Sequence, residues 1–310
     1  MTIPPITTTV KLDKIALTVP IRDKKRVERA FRKAASKYCL STFSKKRYKL
    51  NAEFKIGLFP EDKLLVQLMP IDDSHNFARI EYNPARFTLS ETLDLRRILR
   101  EIFVDEFGNI FYESKVNRLD VAVDLDNLSI DDIFPDRDDV RVSGLFNNTS
   151  GQTKTLYLGR KGQNNNTVVY DRQEKAFNHN HEVPNTKITR FEFRLSPKVP
   201  IKQLPNITIP IPNLKVYQIT QLEDSGLLPA FFSDACKYRG FNATLRRFTP
   251  AKRKEIRDIL VSFETDYLSV ETTQAAYVKS LKRLGPLNPA FKRKPRNSGK
   301  SKFSRGGAFY

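Results

Sequence analysis

The stretch NRLDVAVDLD, Asn117 to Asp126, alternates apolar and polar residues with a period of two, the pattern of a β-strand that buries one face. Leu119, Val121, Val123 and Leu125 share one side, while Arg118, Asp120, Ala122 and Asp124 share the other. Two carboxylates on a half-buried face cost free energy unless cations or a metal ion compensate them. At about 3.3 Å per residue, Asp120 and Asp124 stand roughly 13 Å apart along the strand. One ion bonded at about 2.0–2.6 Å cannot take both directly. A partner is therefore expected from a second strand.

ITRFEFRL, Ile188 to Leu195, is that second strand. Phe191, Phe193 and Leu195 alternate with Arg190, Glu192 and Arg194. A carboxylate between two arginines fits a metal site with phosphate clamps beside it, or a surface ion-pair ladder across the sheet. Similar alternation marks Lys14–Val19, Tyr48–Leu58, Lys63–Met69, Phe77–Tyr82, Thr155–Leu158 and Thr167–Asp171. Helical periodicity interrupts it twice. Asp23–Tyr38 puts Val27, Ala30, Phe31, Ala34 and Tyr38 on one face. A second helix opens at Thr88 with Glu91 as its capping box and buries Leu95, Ile98, Leu99 and Ile102.

This order predicts an α+β fold, with largely antiparallel or mixed sheets and packed helices. Residues 1–200 form the expected catalytic domain. Residues 201–285 begin with a proline-rich connector and turn helical, with Thr249-Pro250 opening one helix and Ser269 another. Residues 286–310 read as a basic, disordered tail.

The chain has 310 residues and a formal net charge of +19. Nine Lys and Arg lie between Leu281 and Tyr310, where no acid occurs, yet a clear positive excess remains on the body. That balance points to a polyanionic partner, above all nucleic acid. A hydrophobic content of 39% with 22 Phe excludes wholesale disorder. No apolar run approaches the roughly 20 residues of a membrane span, and MTIPPITTTV lacks a signal-like apolar core. The two cysteines, Cys39 and Cys236, fit neither a disulfide framework nor a zinc knuckle. A cytoplasmic, membrane-free protein is expected.

Between the two acidic strands lies TKTLYLGRKGQNNNTVVYDRQEKA, Thr153 to Ala176. It reads as a β-hairpin with a basic tip. Tyr170 ends its second strand, with Arg160, Lys161 and Arg172 as candidate neighbours. A phenol, of reference pKa about 10, needs cationic or metal help to attack phosphorus at neutral pH; packing is the commoner role of a tyrosine. Gly159-Arg160-Lys161-Gly162 is not a Walker loop, since Gly-Lys-Ser/Thr is absent. His179-Asn180-His181 has metal-ligand spacing but a polar centre in a loop.

The run from Tyr157-Leu158-Gly159 to Val169-Tyr170-Asp171-Arg172 resembles the active-site segment of rolling-circle replication initiators of the "replication initiation factor" type, found on plasmids, phages and integrative elements. Arg118 to Asp124 before it and Arg190-Phe191-Glu192 after it resemble the same family in the same order. Arg160 stands where that family often has Ser, Val168 where Arg is common, and Arg172 where Lys is usual. The first hundred residues and everything past Pro197 do not align. The resemblance implies that Tyr170 nicks DNA through a 5′-phosphotyrosine. It also implies a divalent ion, Mg²⁺ or Mn²⁺, on Glu192 with Asp120 or Asp124.

Arg160, Lys161 and Arg172 would stabilise the reacting phosphate. Arg118, Arg190 and Arg194, with Lys292, Arg293 and Lys294 of the tail, would hold the DNA. The implied partners are a double-stranded origin extruded as a hairpin, a host helicase and polymerase, and a second copy in a homodimer. A conjugative relaxase would use the same site. A non-catalytic nucleic-acid-binding protein, its carboxylates serving as surface pairs, is the alternative without chemistry.

Overall fold

The computed structural model describes residues 5–42, 47–57, 62–72, 75–140, 142–147, 153–160, 165–178 and 183–287. Its main sheet orders the strands β2 (Cys39–Thr42), β3 (Tyr48–Lys55), β4 (Lys63–Pro70), β5 (Phe77–Tyr82), β1 (Thr7–Pro20), β6 (Lys115–Asp126), β11 (Ile188–Leu195), β10 (Asn166–Asp171), β9 (Thr153–Leu158) and β8 (Ser143–Asn147). A two-residue strand, β12 (Val199–Pro200), also pairs with β6. Every pairing is antiparallel. The α+β class expected from the alternation is the class observed.

Strand β1 is twice as long as its alternation suggests. Its register against β6 slips between Leu12 and Lys14, so Asp13 sits in a bulge and breaks the period of two. Helix α1 (Lys24–Tyr38) starts where the Asp23 side chain accepts a hydrogen bond from the Arg26 amide. Helix α2 (Leu89–Phe103) opens on the Thr88–Glu91 capping box, with both reciprocal hydrogen bonds present. Val27, Phe31 and Ala34 of α1 join Leu95, Ile98, Leu99 and Ile102 of α2 in one core with Leu119, Val121, Val123 and Leu125 of β6. The opposite side of β6 is left to polar groups.

Residues beyond Pro200 divide between two cores. β7 (Ile133–Arg137) pairs with β13 (Leu214–Gln218) in a small second sheet. Around it pack α5 (Ile219–Asp224), α6 (Ala230–Arg239), α7 (Phe241–Leu245) and α8 (Pro250–Val261), burying Phe134, Ile219, Phe232, Phe241, Leu245, Ile256 and Leu260. Helix α9 (Val270–Ser280) then returns to β1, and Tyr277, Leu281, Leu284 and Leu287 rejoin the first core. The Tyr277 hydroxyl donates to the Leu204 carbonyl at 2.8 Å and ties that return to the proline-rich connector. Two short α-helices among the described residues remain, α3 (Asn109–Tyr112) and α4 (Arg172–Asn178). Among the described residues no helix is long and apolar enough to cross a membrane.

Phe191 is fully buried between β6 and β10, so truncating it leaves a cavity under the strands that carry the polar face. Phe191→Ala is expected to cost about 3–5 kcal/mol, read as a lower urea midpoint with an unchanged slope.

Candidate active site on the polar face of the sheet

Register assembles this site. Across β6 and β11, Asp124 lies opposite Arg190, Ala122 opposite Glu192, and Asp120 opposite Arg194. Across β11 and β10, Arg190 lies opposite Tyr170 and Glu192 opposite Val168. Residues directly opposite share a face. Asp120, Asp124, Arg190, Glu192, Arg194 and Tyr170 therefore line one surface, as the alternation requires.

Each carboxylate there is held by cations. Arg190 donates to Asp124 from Nε at 2.5 Å and from Nη2 at 2.8 Å, while Lys11 and Arg172 reach the same acid at 3.0 and 3.4 Å. Arg118 grips Asp120 through two nitrogens at 2.7–3.1 Å. Arg194 Nε donates to Glu192 at 2.7 Å. Asp124 is only 1% exposed and Arg190 is buried with it, so this pair is internal, whereas Lys11, Arg118 and Arg172 are half-buried at the rim. Burial opposes ionisation of Asp124. The hydrogen bond from Arg190 and the charges of Arg190, Lys11 and Arg172 outweigh it and hold the carboxyl below its ordinary range. Asp120 goes the other way: burial, with Glu192 nearby, raises it despite Arg118.

Tyr170 points into this face. Its hydroxyl donates to Glu192 Oε2 at 3.2 Å and accepts from Lys175 Nζ at 2.8 Å. The ammonium lies 4.0 Å from the centroid of the tyrosine ring and 3.7 Å from Glu192. Local sequence explains the placement of Lys175. Asp171 accepts hydrogen bonds from the amides of Gln173 and Glu174 and so starts α4 immediately after the strand. One turn of helix then folds Lys175 back over Tyr170. Burial and the negative charge of Glu192 raise the phenol above its ordinary pKa, so it rests protonated. Burial also pushes Glu192 up, but Arg194, Lys175 and the phenol hydrogen bond hold it below the usual range. The result is a neutral phenol donating to an ionised carboxylate. A cleft of about 230 Å³ opens beside the pair, lined by Lys154, Tyr157, Tyr170, Glu174, Lys175 and Arg194 among others.

Arg172 joins the cluster through Asp124. Arg160 does not. It is exposed at the hairpin tip, beyond the Leu158–Thr167 pair, whereas Tyr170 pairs with Thr155 at the far end. Three strand residues span roughly 10 Å, which puts the tip out of reach. Lys161, His179, His181, Lys292, Arg293 and Lys294 lie outside the described residues. Three members of the face escaped the sequence reading: Lys11 and Asp13 of β1, and Lys175. Asp13, in the bulge of β1, lies 3.6 Å from Arg190 Nη1. Lys175 is five residues past Tyr170, and the capping Asp171 before a helix-forming run was the available signal.

Among the described residues, no group of three or more His, Cys, Asp and Glu side chains is placed to hold a metal ion. Asp120, Asp124 and Glu192 are each engaged by a guanidinium, and the surrounding Lys and Arg outnumber the acids. As paired, these carboxylates are compensated by guanidinium groups, and a divalent ion would have to displace them. Comparison with known proteins gives no matching family model and no matching curated sequence.

Because Asp124 is held below its unfolded pKa of about 3.9, its stabilisation is complete above that pH. It is lost as pH falls through the lower folded value. Asp124→Asn is expected to cost about 3 kcal/mol at neutral pH by leaving Arg190 poorly compensated. It should also flatten the acid limb of a stability profile measured by urea unfolding from pH 3 to 8.

Proposed function

We propose that this protein cuts and rejoins one strand of DNA through Tyr170, in the manner of a rolling-circle replication initiator. The observation that carries the reading is the Tyr170 hydroxyl held between Glu192 and Lys175, beside a cleft on a cationic face. A nucleophile touching its base is the arrangement activated oxygen nucleophiles need.

In the proposed reaction the phenol gives its proton to the Glu192 carboxylate as its oxygen attacks the scissile phosphorus. The new P–O bond to tyrosine forms as the P–O3′ bond breaks. The 3′-oxygen leaves, takes a proton from solvent, and becomes a free 3′-OH that can prime a polymerase. The 5′ end stays on Tyr170 as a phosphotyrosine ester, so the strand can be rejoined by the reverse attack. Lys175 and Arg194 line the cleft and would offset charge on the phosphoryl oxygens. Arg118, Arg190 and Arg172 maintain the positive field while neutralising Asp120 and Asp124. Mg²⁺ or Mn²⁺ would have to compete for Glu192 and both aspartates, which arginines already hold. A divalent ion in this pocket would require Arg194 or Arg118 to release its carboxylate.

The test is incubation with a supercoiled plasmid carrying the protein's own replicon, in Mg²⁺, Mn²⁺ or EDTA. Open circles should form, with protein attached covalently at a 5′ end on denaturing gels. Tyr170→Phe should bind DNA yet form no adduct, and Glu192→Gln should slow cutting by about 10²–10⁴. Nicking by Tyr170→Phe at the wild-type rate would remove Tyr170 from the mechanism.

A further inference from the structure

A second concentration of positive charge lies away from the sheet, at the junction of α7 and α8. From Arg246 to Lys254, RRFTPAKRK, five of nine residues are cationic and none is acidic. Arg246, Arg247, Lys252 and Lys254 are exposed, and Arg253 is half-buried. Among the described residues Lys252 alone of the five has an ion pair, to Glu255 at 2.5 Å. Arg253 Nε is buried with no hydrogen-bond partner.

Helix α1 is also rich in Lys and Arg, but many of its cations are spoken for. Arg26 pairs with Asp105 at 2.6 Å, Arg32 with Glu28 at 2.8 Å and Lys37 with Glu101 at 3.8 Å. The α7–α8 segment is also firmly framed. Leu245, Ile256 and Leu260 anchor both sides of it in the second core, and the Thr249 hydroxyl accepts from the Lys252 amide. Crowded, unpaired cations on a rigid frame repel one another until a polyanion relieves them, and their preorganisation lowers the ordering cost of binding.

We propose that the α7–α8 junction docks the sugar–phosphate backbone of duplex DNA. This rests on the nicking reading for its choice of partner. Such contacts position the substrate without reading bases.

The experiment compares R246E/R247E/K254E with K25E/R29E/K33E, which makes the same charge change on exposed positions of α1. Binding of a short fluorescein-labelled DNA duplex is followed by anisotropy across a salt series. The α7–α8 variant should lose at least about tenfold in affinity near 0.1 M salt, and its log K against log[salt] slope should shrink by about 2.7, the share of three phosphates. The α1 variant should keep most of the slope. Equal losses in both variants, or an unchanged slope at α7–α8, would overturn the proposal. Should charge reversal prevent folding, as judged by thermal melting, R246Q/R247Q/K254Q reads the same slope. Binding is measured without cleavage, so slope loss supports this surface even where Tyr170 proves inert. Nicking with an unchanged slope discards the surface and leaves the reading of Tyr170 intact.

Discussion

The pairing of Asp124 with Arg190 across β6 and β11 is the constraint on which the polar face depends. A buried carboxylate is tolerable only with a well-placed cation, and this one has Arg190 directly opposite in the ladder with Lys11 and Arg172 behind it. The pairing also reinforces register. A one-residue slip would carry Asp120 and Asp124 into the apolar core and Leu119 to Leu125 out of it. Ionic and hydrophobic demands therefore select the same alignment of three strands, and that alignment sets Tyr170 beside Glu192.

That alignment has a chemical consequence. Glu192 stays ionised because Arg194 and Lys175 face it, while Tyr170 stays neutral because burial and Glu192 disfavour the phenolate. At rest the phenol is thus a hydrogen-bond donor, not a nucleophile. An approaching phosphate would draw on the same cations and add negative charge beside Glu192, favouring the protonated carboxyl. In the proposed reaction, a phosphate that drew Arg194 and Lys175 away from Glu192 would leave the carboxylate a stronger acceptor for the phenol proton. On that proposal, activation of the tyrosine would be coupled to occupancy of the cleft, a form of electrostatic preorganisation.

The legible parts of this architecture were those with an uninterrupted period. NRLDVAVDLD and ITRFEFRL declared their faces, and the partner expected for the acids came from the neighbouring strand, as arginines. What escaped detection did so for identifiable reasons. The bulge at Asp13 breaks alternation in β1 and hid half of that strand along with one acid of the face. Strands of four or five residues such as β2, β7 and β8 carry too few repeats to reveal a period, and Pro135 disguises β7 further. Lys175 reaches Tyr170 only because Asp171 starts a helix at the base of the hairpin, which strand alternation does not reveal. Arg160 is remote for a related reason: a hairpin separates its tip from its base by the full length of its strands, whereas a helix begun at the base folds the chain back.

The return of α9 to β1 gives the two cores a fixed relation. A helical body joined to a sheet by a single connector would move independently of it. Here the chain leaves the sheet after β11, builds the second core on β7 and β13, and then packs Tyr277, Leu281 and Leu284 under the first core. β7 itself comes from the chain between β6 and β8, so the second sheet is already stitched to the first at its other end. Two separate crossings constrain the helices far more than one. The helices of the second core are consequently held in a fixed relation to the sheet.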